Sequence, residues 1–259
     1  MNSKLEWLLK CADHLTANSR SGASINVITI LHSLSISLQY SFLPDRITRG
    51  ILTRTTDNSY SIIINRRERS NKPLLNQERF TIAHEIAHYL LIKQYKWNPL
   101  KGDDLEQVEA FCNDFAGRLL VPPQSTKALI FDSGLTLFGS LKSLQKRLKV
   151  SWRVLGLQVP KYQPNIAICL SAMRPSKTEN LRIRCLWGSS SCKDMPWNTG
   201  RYVITNTAFD IGFRAAWRGA TENGYSSVNQ LSYSIYSSKD PIFGGNILTC
   251  ALKRQPPLE

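Results

Sequence analysis

Residues 81–88 contain the pattern H-E-x-x-H, formed by His84, Glu85 and His88. Two residues that are four positions apart share one face of an α-helix, so both imidazoles can reach the same metal ion. Glu85 lies between them, where it can hold and deprotonate a water molecule that the metal has acidified. The chemistry this predicts is peptide-bond hydrolysis, in which the metal polarises the scissile carbonyl and the glutamate passes the proton to the leaving amine.

The residues around this pattern favour a metal site over a chance match. The chain has only four histidines, and two of them form the pair. Unpaired imidazoles and a carboxylate are costly on a buried helix, and a bound metal removes that cost. We expect Zn²⁺ from the ligand types, with Mn²⁺ as the alternative. The flanking apolar residues that indicate a buried helix are Phe80, Ala83, Ile86, Ala87, Leu90 and Leu91.

A catalytic zinc site needs a third protein ligand and one open position. The candidates are the carboxylates of the following segment: Glu109, Glu106 and the pair Asp103 and Asp104. Glu109 is favoured over Glu106, because Glu106 lies nearer the start of the predicted helix, where it can serve the helix dipole alone. Asn113 follows Glu109 at i+4 and can orient a metal-bound imidazole through a hydrogen bond.

The two segments together resemble a known family. The run ERFTIAHEIAHYLL, followed by EAFCNDFAGRLLVP, is similar to the paired motifs of the ImmA/IrrE metallo-endopeptidases. The resemblance covers about residues 1–160. It implies that His84, Glu85 and His88 lie on the zinc-binding helix and that Glu109 is the third ligand. Cys112 stands where the family usually has alanine.

The resemblance also implies an activity and a partner. The expected substrate is a helix-turn-helix transcriptional repressor, whose cleavage would switch on stress-response or mobile-element genes. An extended loop of this substrate would pair with the edge of a short sheet that precedes the zinc helix. Two alternatives stay open: a DNA- or partner-binding regulatory protein with a structural or relict metal site, and a toxin component paired with a helix-turn-helix antitoxin. Glu85 counts against a purely structural site, which needs no base.

An α+β fold is expected to position these residues. Helices are predicted at residues 3–15 and from 24 to about 34, and a small antiparallel meander of three strands follows, with the sequences SISLQYSF, ILTRT and YSIIIN. The helix that carries the metal motif is predicted to start at 75 or 76, with Asn76 as its N-cap. The helix that carries Glu109 is predicted to end before Pro122. Residues 1–125 form the expected zincin-like metallopeptidase domain.

Two more segments are predicted after this domain. Residues 126–160 resemble the family's helix-turn-helix-like segment, and leucines at i, i+4, i+7 and i+11 from Leu137 give it one apolar face. We favour the interpretation that this helix pair completes the fold, and direct nucleic-acid binding is the less favoured one. Residues 161–259 are predicted to form a β-rich domain with a sensory or regulatory role. Its five expected strands lie near residues 165–173, 180–190, 210–220, 231–239 and 246–254.

The composition narrows the class of protein further. The net charge of +14 suits an acidic or nucleic-acid partner, and it equally suits a soluble protein that is simply basic. Six scattered cysteines without a C-x-x-C pair indicate reduced thiols and argue against a disulfide framework. No apolar stretch approaches the roughly 20 residues of a membrane span, and the N-terminus lacks the pattern of a secretory signal. The expected location is therefore the cytoplasm, with no membrane partner.

Overall fold

The computed structural model describes residues 3–21, 24–44, 48–65, 74–96, 105–127, 129, 134–175, 181–190, 222–228, 231–238 and 247–253. The predicted α+β class is confirmed. The chain divides into two units: the first comprises Met1–Pro122 and Arg147–Ser151, and the second comprises Pro123–Lys146 and Trp152–Glu259. The three-segment division expected at residues 125 and 160 stays a prediction. The predicted strand at 210–220 and the pair Asp103 and Asp104 lie outside the described residues.

The first unit contains four helices and five strands within the described residues. The helices are α1 (Ser3–Asn18), α2 (Val27–Ser33), α3 (Asn76–Tyr95) and α4 (Leu105–Leu120). The strands are β1 (Arg20–Ser21), β2 (Ser24–Ile25), β3 (Ile36–Ser41), β4 (Gly50–Arg54) and β5 (Tyr60–Asn65).

The sheet that precedes α3 is mixed, which corrects the predicted antiparallel meander. Its order is β3-β5-β4, with β3 parallel to β5 and β4 antiparallel to β5. A meander would have placed β4 in the centre. The isoleucine-rich run of β5 occupies the central position, where strands on both sides cover it, and its residues Ser61, Ile62 and Ile64 are buried. As a result β4, and not β5, lies at an edge of the sheet.

Helix α3 is buried along most of its length, but its N-terminus differs from the prediction. The N-cap is Leu75, and the carboxylate of Glu78 accepts a hydrogen bond from the Leu75 backbone N–H at 2.9 Å. Asn76, predicted as the cap, is the first helical residue, and its Nδ2 donates to the backbone oxygen of Val150 at 3.1 Å. Glu78 can take over the capping role because it reaches back to the free N–H that precedes the helix.

The start of α3 also holds the segment Arg147–Ser151 within the first unit. The buried guanidinium of Arg79 donates to the backbone oxygens of Ile25 at 3.0 Å and Leu148 at 3.4 Å. A charged donor makes such hydrogen bonds stronger than neutral ones. The turn after the helix that ends at Leu148 is therefore anchored to the helix that carries the metal motif.

Strand β4 approaches α3 so closely that position 50 requires glycine. A Cβ atom at Gly50 would lie 2.5 Å from Cγ2 of Thr81 and 3.1 Å from the backbone oxygen of Ile63. We expect Gly50→Ala to lower the free energy of unfolding by about 1–3 kcal/mol, since the contact forces backbone or side-chain shifts. Thr81→Ser removes the colliding methyl group and keeps the hydroxyl, which donates to the Gln77 backbone oxygen.

Urea unfolding of Gly50→Ala, Thr81→Ser and the double variant tests this close approach. The double variant should recover part of the stability that Gly50→Ala loses. If Gly50→Ala unfolds at the wild-type urea concentration, β4 does not pack against α3 at this distance.

The described part of the second unit contains three helices and a five-stranded sheet of order β7-β6-β10-β9-β8. Strand β6 pairs antiparallel with β7 and β10, and β9 pairs antiparallel with β8 and β10. The predicted strands near 165, 180, 231 and 246 are present, whereas β8, with the polar sequence ENGYSSV, was not predicted. The elements are α5 (Pro123–Thr126), α6 (Gly134–Leu148), α7 (Trp152–Tyr162), β6 (Ile166–Pro175), β7 (Leu181–Ser190), β8 (Glu222–Val228), β9 (Leu231–Ser238) and β10 (Ile247–Lys253).

Helices α6 and α7 form the helix pair that the sequence predicted. The leucine face of α6 is buried, as its periodicity indicated. Helix α7 packs against β6 and β7. A recognition helix must present an exposed polar face to a DNA groove, so this burial favours the interpretation that the pair completes the fold. The buried residues of α7 are Val154, Leu155, Gly156, Gln158, Val159 and Pro160.

Candidate metal centre

The two histidines of the motif meet on one face of α3. Their Nε2 atoms are 3.0 Å apart, and the rings lie edge to face with centroids 4.8 Å apart. Neighbouring turns of the helix create this contact, because positions four apart lie one above the other on the helix surface. The side chains of His84 and His88 retain only 14% and 12% exposure, so both imidazoles are mostly removed from water.

Helix α4 adds Glu109 to this pair. Its Oε2 lies 3.1 Å from Nε2 of His84, and its Oε1 lies 3.2 Å from Nε2 of His88. The structure thus brings together the three residues that the sequence proposed as ligands. Glu106 is exposed on the first turn of the same helix and is not part of the cluster, and Asp103 and Asp104 lie outside the described residues.

The spacing of these three residues fits a zinc-like ion. A tetrahedral site with bonds of about 2.0–2.1 Å separates neighbouring ligand atoms by about 3.3 Å. The three contacts measured between ligand atoms are 3.0, 3.1 and 3.2 Å. Two imidazole nitrogens and one carboxylate form the donor set of a catalytic zinc site that keeps an open position. The assignment of the three side chains as metal ligands itself stays a prediction.

The outer nitrogens of both imidazoles contact α4. Nδ1 of His84 lies 3.1 Å from Oδ1 of Asn113, the residue predicted to orient a metal-bound imidazole. Nδ1 of His88 lies 3.5 Å from Sγ of Cys112, a contact that the sequence did not predict. A proton on each Nδ1 leaves the lone pair of Nε2 directed toward the centre of the cluster, as metal binding requires.

Burial keeps the imidazoles neutral. Desolvation is the main reason that the pKa of His88 falls to about 4, and the neighbouring His84 lowers it further. Desolvation likewise lowers the pKa of His84, against the opposing effect of Glu109. Both rings are therefore uncharged at neutral pH, which is the form that binds a metal.

Glu85 is a buried carboxyl next to this cluster, with 8% of its surface exposed. Burial raises its pKa to about 8, and the charge of Glu109 adds to the shift. The backbone N–H of Leu52 on β4 donates a hydrogen bond to the carboxylate, which lowers the pKa in part. A carboxyl whose pKa lies near the working pH is suited to take up and release a proton. Leu52 was not identified from the sequence, because a backbone donor leaves no mark on residue type.

A known peptidase family is similar in sequence to the part of the chain that holds this site. Residues 33–158 match the sequence profile of a peptidase family described as the IrrE N-terminal-like domain. The matched range includes the metal cluster and Glu85. A search of curated proteins finds no significant match.

A solved structure resembles the chain at the level of the fold. It is a transcriptional regulator of Mycobacterium tuberculosis with a TM-score of 0.53 and 15% sequence identity. The likeness covers 95% of this chain and 76% of that one. Within the described residues, no helix is both long and apolar enough to cross a bilayer.

Proposed function

Because residues 33–158 match the IrrE N-terminal-like peptidase domain, we propose that this chain is a metal-dependent endopeptidase of the zinc type. The observation that carries the proposal is the buried carboxyl of Glu85 next to the cluster of His84, His88 and Glu109. A structural metal site needs ligands but no base, whereas hydrolysis needs both. This counts against a regulatory binding protein, or a toxin component, with a structural or relict site.

His84, His88 and Glu109 would hold the ion, which their donor atoms suggest is Zn²⁺, with Mn²⁺ as the alternative. When bound, such an ion polarises a scissile carbonyl and makes water more acidic. Its positive charge also favours the ionised form of a neighbouring carboxyl, so we expect the pKa of Glu85 to fall below its metal-free value of about 8.

Glu85 would be the catalytic base. Its carboxylate takes a proton from the attacking water and then delivers it to the leaving amine of the peptide bond. The N–H of Leu52 holds one carboxylate oxygen at the edge of β4, which restricts the rotation of the side chain. The low exposure of Glu85 limits the access of bulk water to this proton transfer.

The outer edge of β4, which pairs with no other strand among the described residues, would bind the substrate backbone. Two backbone hydrogen bonds flank the pairing of β4 with β5: the Asn65 N–H donates to the Arg49 oxygen, and the Thr55 N–H donates to the Ser59 oxygen. They fix which residues of β4 bond to β5. By the alternation of an antiparallel ladder, the backbone groups of Gly50, Leu52 and Arg54 point away from β5. An extended peptide could add a strand here, as in β-augmentation. Because Leu52 also contacts Glu85, this edge would place a peptide beside the base.

The proposed substrate is a helix-turn-helix transcriptional repressor, and its cleavage would release stress-response or mobile-element genes in the cytoplasm. Support comes from the motif resemblance, and the transcriptional regulator of similar fold is compatible with a role in gene control. Residues 161–259 would then carry a sensory or regulatory function that controls the peptidase. Direct contact with nucleic acid stays the less favoured interpretation, because most of α7 is buried.

Incubation of the zinc-loaded chain with the helix-turn-helix protein encoded beside its gene tests this proposal. We expect a single cut, located by intact-mass spectrometry, and loss of operator binding by the cut repressor. A chelator should prevent the cut. If the repressor stays whole while a quenched peptide library is hydrolysed, the repressor proposal fails and the peptidase proposal stands.

A further inference from the structure

Consecutive residues of α4 contact the outer nitrogens of the two imidazoles. Asn113 contacts Nδ1 of His84 at 3.1 Å, and Cys112 contacts Nδ1 of His88 at 3.5 Å. Glu109 lies one turn earlier on the same helix and contacts both Nε2 atoms. Helix α4 therefore contacts both nitrogens of each imidazole, and Cys112 provides one of these four contacts.

We propose that Cys112 is a positioning residue that orients His88 for metal binding. Its sulfur lies 3.5 Å from Nδ1 of His88. In the metal-bound site Nδ1 would carry the proton and donate it to the sulfur in a hydrogen bond, which would hold the ring in the tautomer whose Nε2 lone pair faces the cluster. Sulfur is a weak acceptor that bonds at longer range than oxygen, and 3.5 Å is a suitable N–H···S distance. This inference rests on the metal site of the proposed function.

The position of the thiol separates this role from that of a fourth ligand. The sulfur contacts Nδ1, whereas the contacts with His84 and Glu109 are made by Nε2, across the same ring. Cys112 is also fully buried, at 0% exposure, and belongs to the buried face of α4. Its thiol is therefore held in place by packing, as an orienting contact requires. Alanine at this position would keep the helix but would remove the acceptor that Cys112 offers.

The consequence is a measurable contribution to metal affinity. Removing a partner that orients a metal ligand typically weakens metal binding by about 10–100-fold. We expect Cys112→Ala to raise the Kd for Zn²⁺ by about tenfold, the lower end of that range, because sulfur is a weak acceptor. Cys112→Ser, whose oxygen is a smaller acceptor with a shorter reach, should lie between Cys112→Ala and the wild type.

Competition between the full-length chain and a chromophoric chelator for Zn²⁺ measures this effect. Cys11→Ala is the matched control, because Cys11 is a partly exposed thiol on α1, and its Kd should equal that of the wild type. The visible absorption of bound Co²⁺ gives a second readout, and its bands should shift in Cys112→Ala and stay unchanged in Cys11→Ala. Thermal unfolding of each metal-free variant shows whether the fold is retained.

Two results would overturn the inference. In the first, folded Cys112→Ala binds Zn²⁺ with the wild-type Kd. In the second, which needs no variant, nitrogen-15 spectra of the zinc-loaded wild type show no proton on Nδ1 of His88. If the wild type itself binds no zinc, the metal site of the proposed function fails as well, so the two failures are distinguishable.

Discussion

Glu85→Gln is expected to abolish peptide hydrolysis and leave metal binding intact. Glutamine has nearly the same shape and can still accept the hydrogen bond from the Leu52 N–H, but it cannot take up a proton. General-base catalysis contributes about 10²–10⁴-fold, so we expect a loss of about a thousandfold or more in the hydrolysis rate. Zinc content by atomic spectroscopy and hydrolysis of the repressor, or of a quenched peptide library, are measured on the same preparation.

The matched control for this variant is Glu106→Gln. Glu106 is an exposed glutamate on the first turn of α4, so its replacement should change neither zinc content nor hydrolysis. If Glu85→Gln hydrolyses peptides at the wild-type rate, another group is the base. If Glu85→Gln loses zinc together with activity, Glu85 helps to hold the metal, and the lost activity then reports the missing zinc and not a missing base.

The stabilities of metal-free wild type and metal-free Glu85→Gln should also depend differently on pH. The pKa of Glu85 is raised by folding from 4.5 to about 8, so the folded state resists ionisation of this carboxyl. The contribution of Glu85 to stability is therefore unaffected below about pH 4.5 and becomes increasingly unfavourable as the pH rises toward 8. Urea unfolding at pH 5 and pH 9 should show a larger gain in stability from Glu85→Gln at pH 9.

The proximity of His84, His88 and Glu109 was the most predictable feature of the molecule, whereas their role as metal ligands stays a prediction. H-E-x-x-H places two imidazoles together through helical periodicity alone, and the contact between His84 and His88 follows from that local rule. Predicting Glu109 beside the two histidines required knowing one long-range feature, the packing of α4 against α3. The motif resemblance supplied that feature, whereas spacing by itself left Glu106 and the pair Asp103 and Asp104 open. Asn113 then followed, because it shares a helical face with Glu109.

The sheet topology was less predictable, because alternation along a strand does not specify its partner. The runs that became β3, β4 and β5 were recognised, but their order was wrong. The order depends on which strand is covered on both sides and on how α3 packs against the sheet, and neither can be read from the strands alone. Strand β8 was missed for a related reason, since its polar sequence ENGYSSV has little intrinsic β-propensity and pairs with β9 in the folded sheet.

The contacts that refine the site were also invisible in the sequence. The sequence indicated only that Cys112 is a small residue where the family usually has alanine, and its 3.5 Å contact with His88 is what indicates an orienting role. Leu52 contacts Glu85 through its backbone N–H, so its residue type could not indicate this role. Gly50 is required by the proximity of Thr81 on α3, in a strand with no turn that would explain a glycine. All three depend on which elements become neighbours after folding.

The removal of single ligands has the second large expected effect. We expect about one zinc ion per wild-type chain, and loss of this zinc from both His88→Ala and Glu109→Ala, because a three-ligand site that loses one ligand keeps only two protein donors. Each Nε2 contact that defines the cluster involves one or both of these residues. Atomic spectroscopy after dialysis gives the stoichiometry, and Glu106→Ala serves as the control that keeps its zinc.

The pattern of loss identifies the third ligand. Loss of zinc from both variants would establish His88 and Glu109 as ligands. Loss from His88→Ala alone would move the third ligand to Glu106 or to the pair Asp103 and Asp104, and loss from Glu106→Ala would choose between these. A wild-type chain that takes up no zinc or manganese after reconstitution would remove the physical basis of the peptidase.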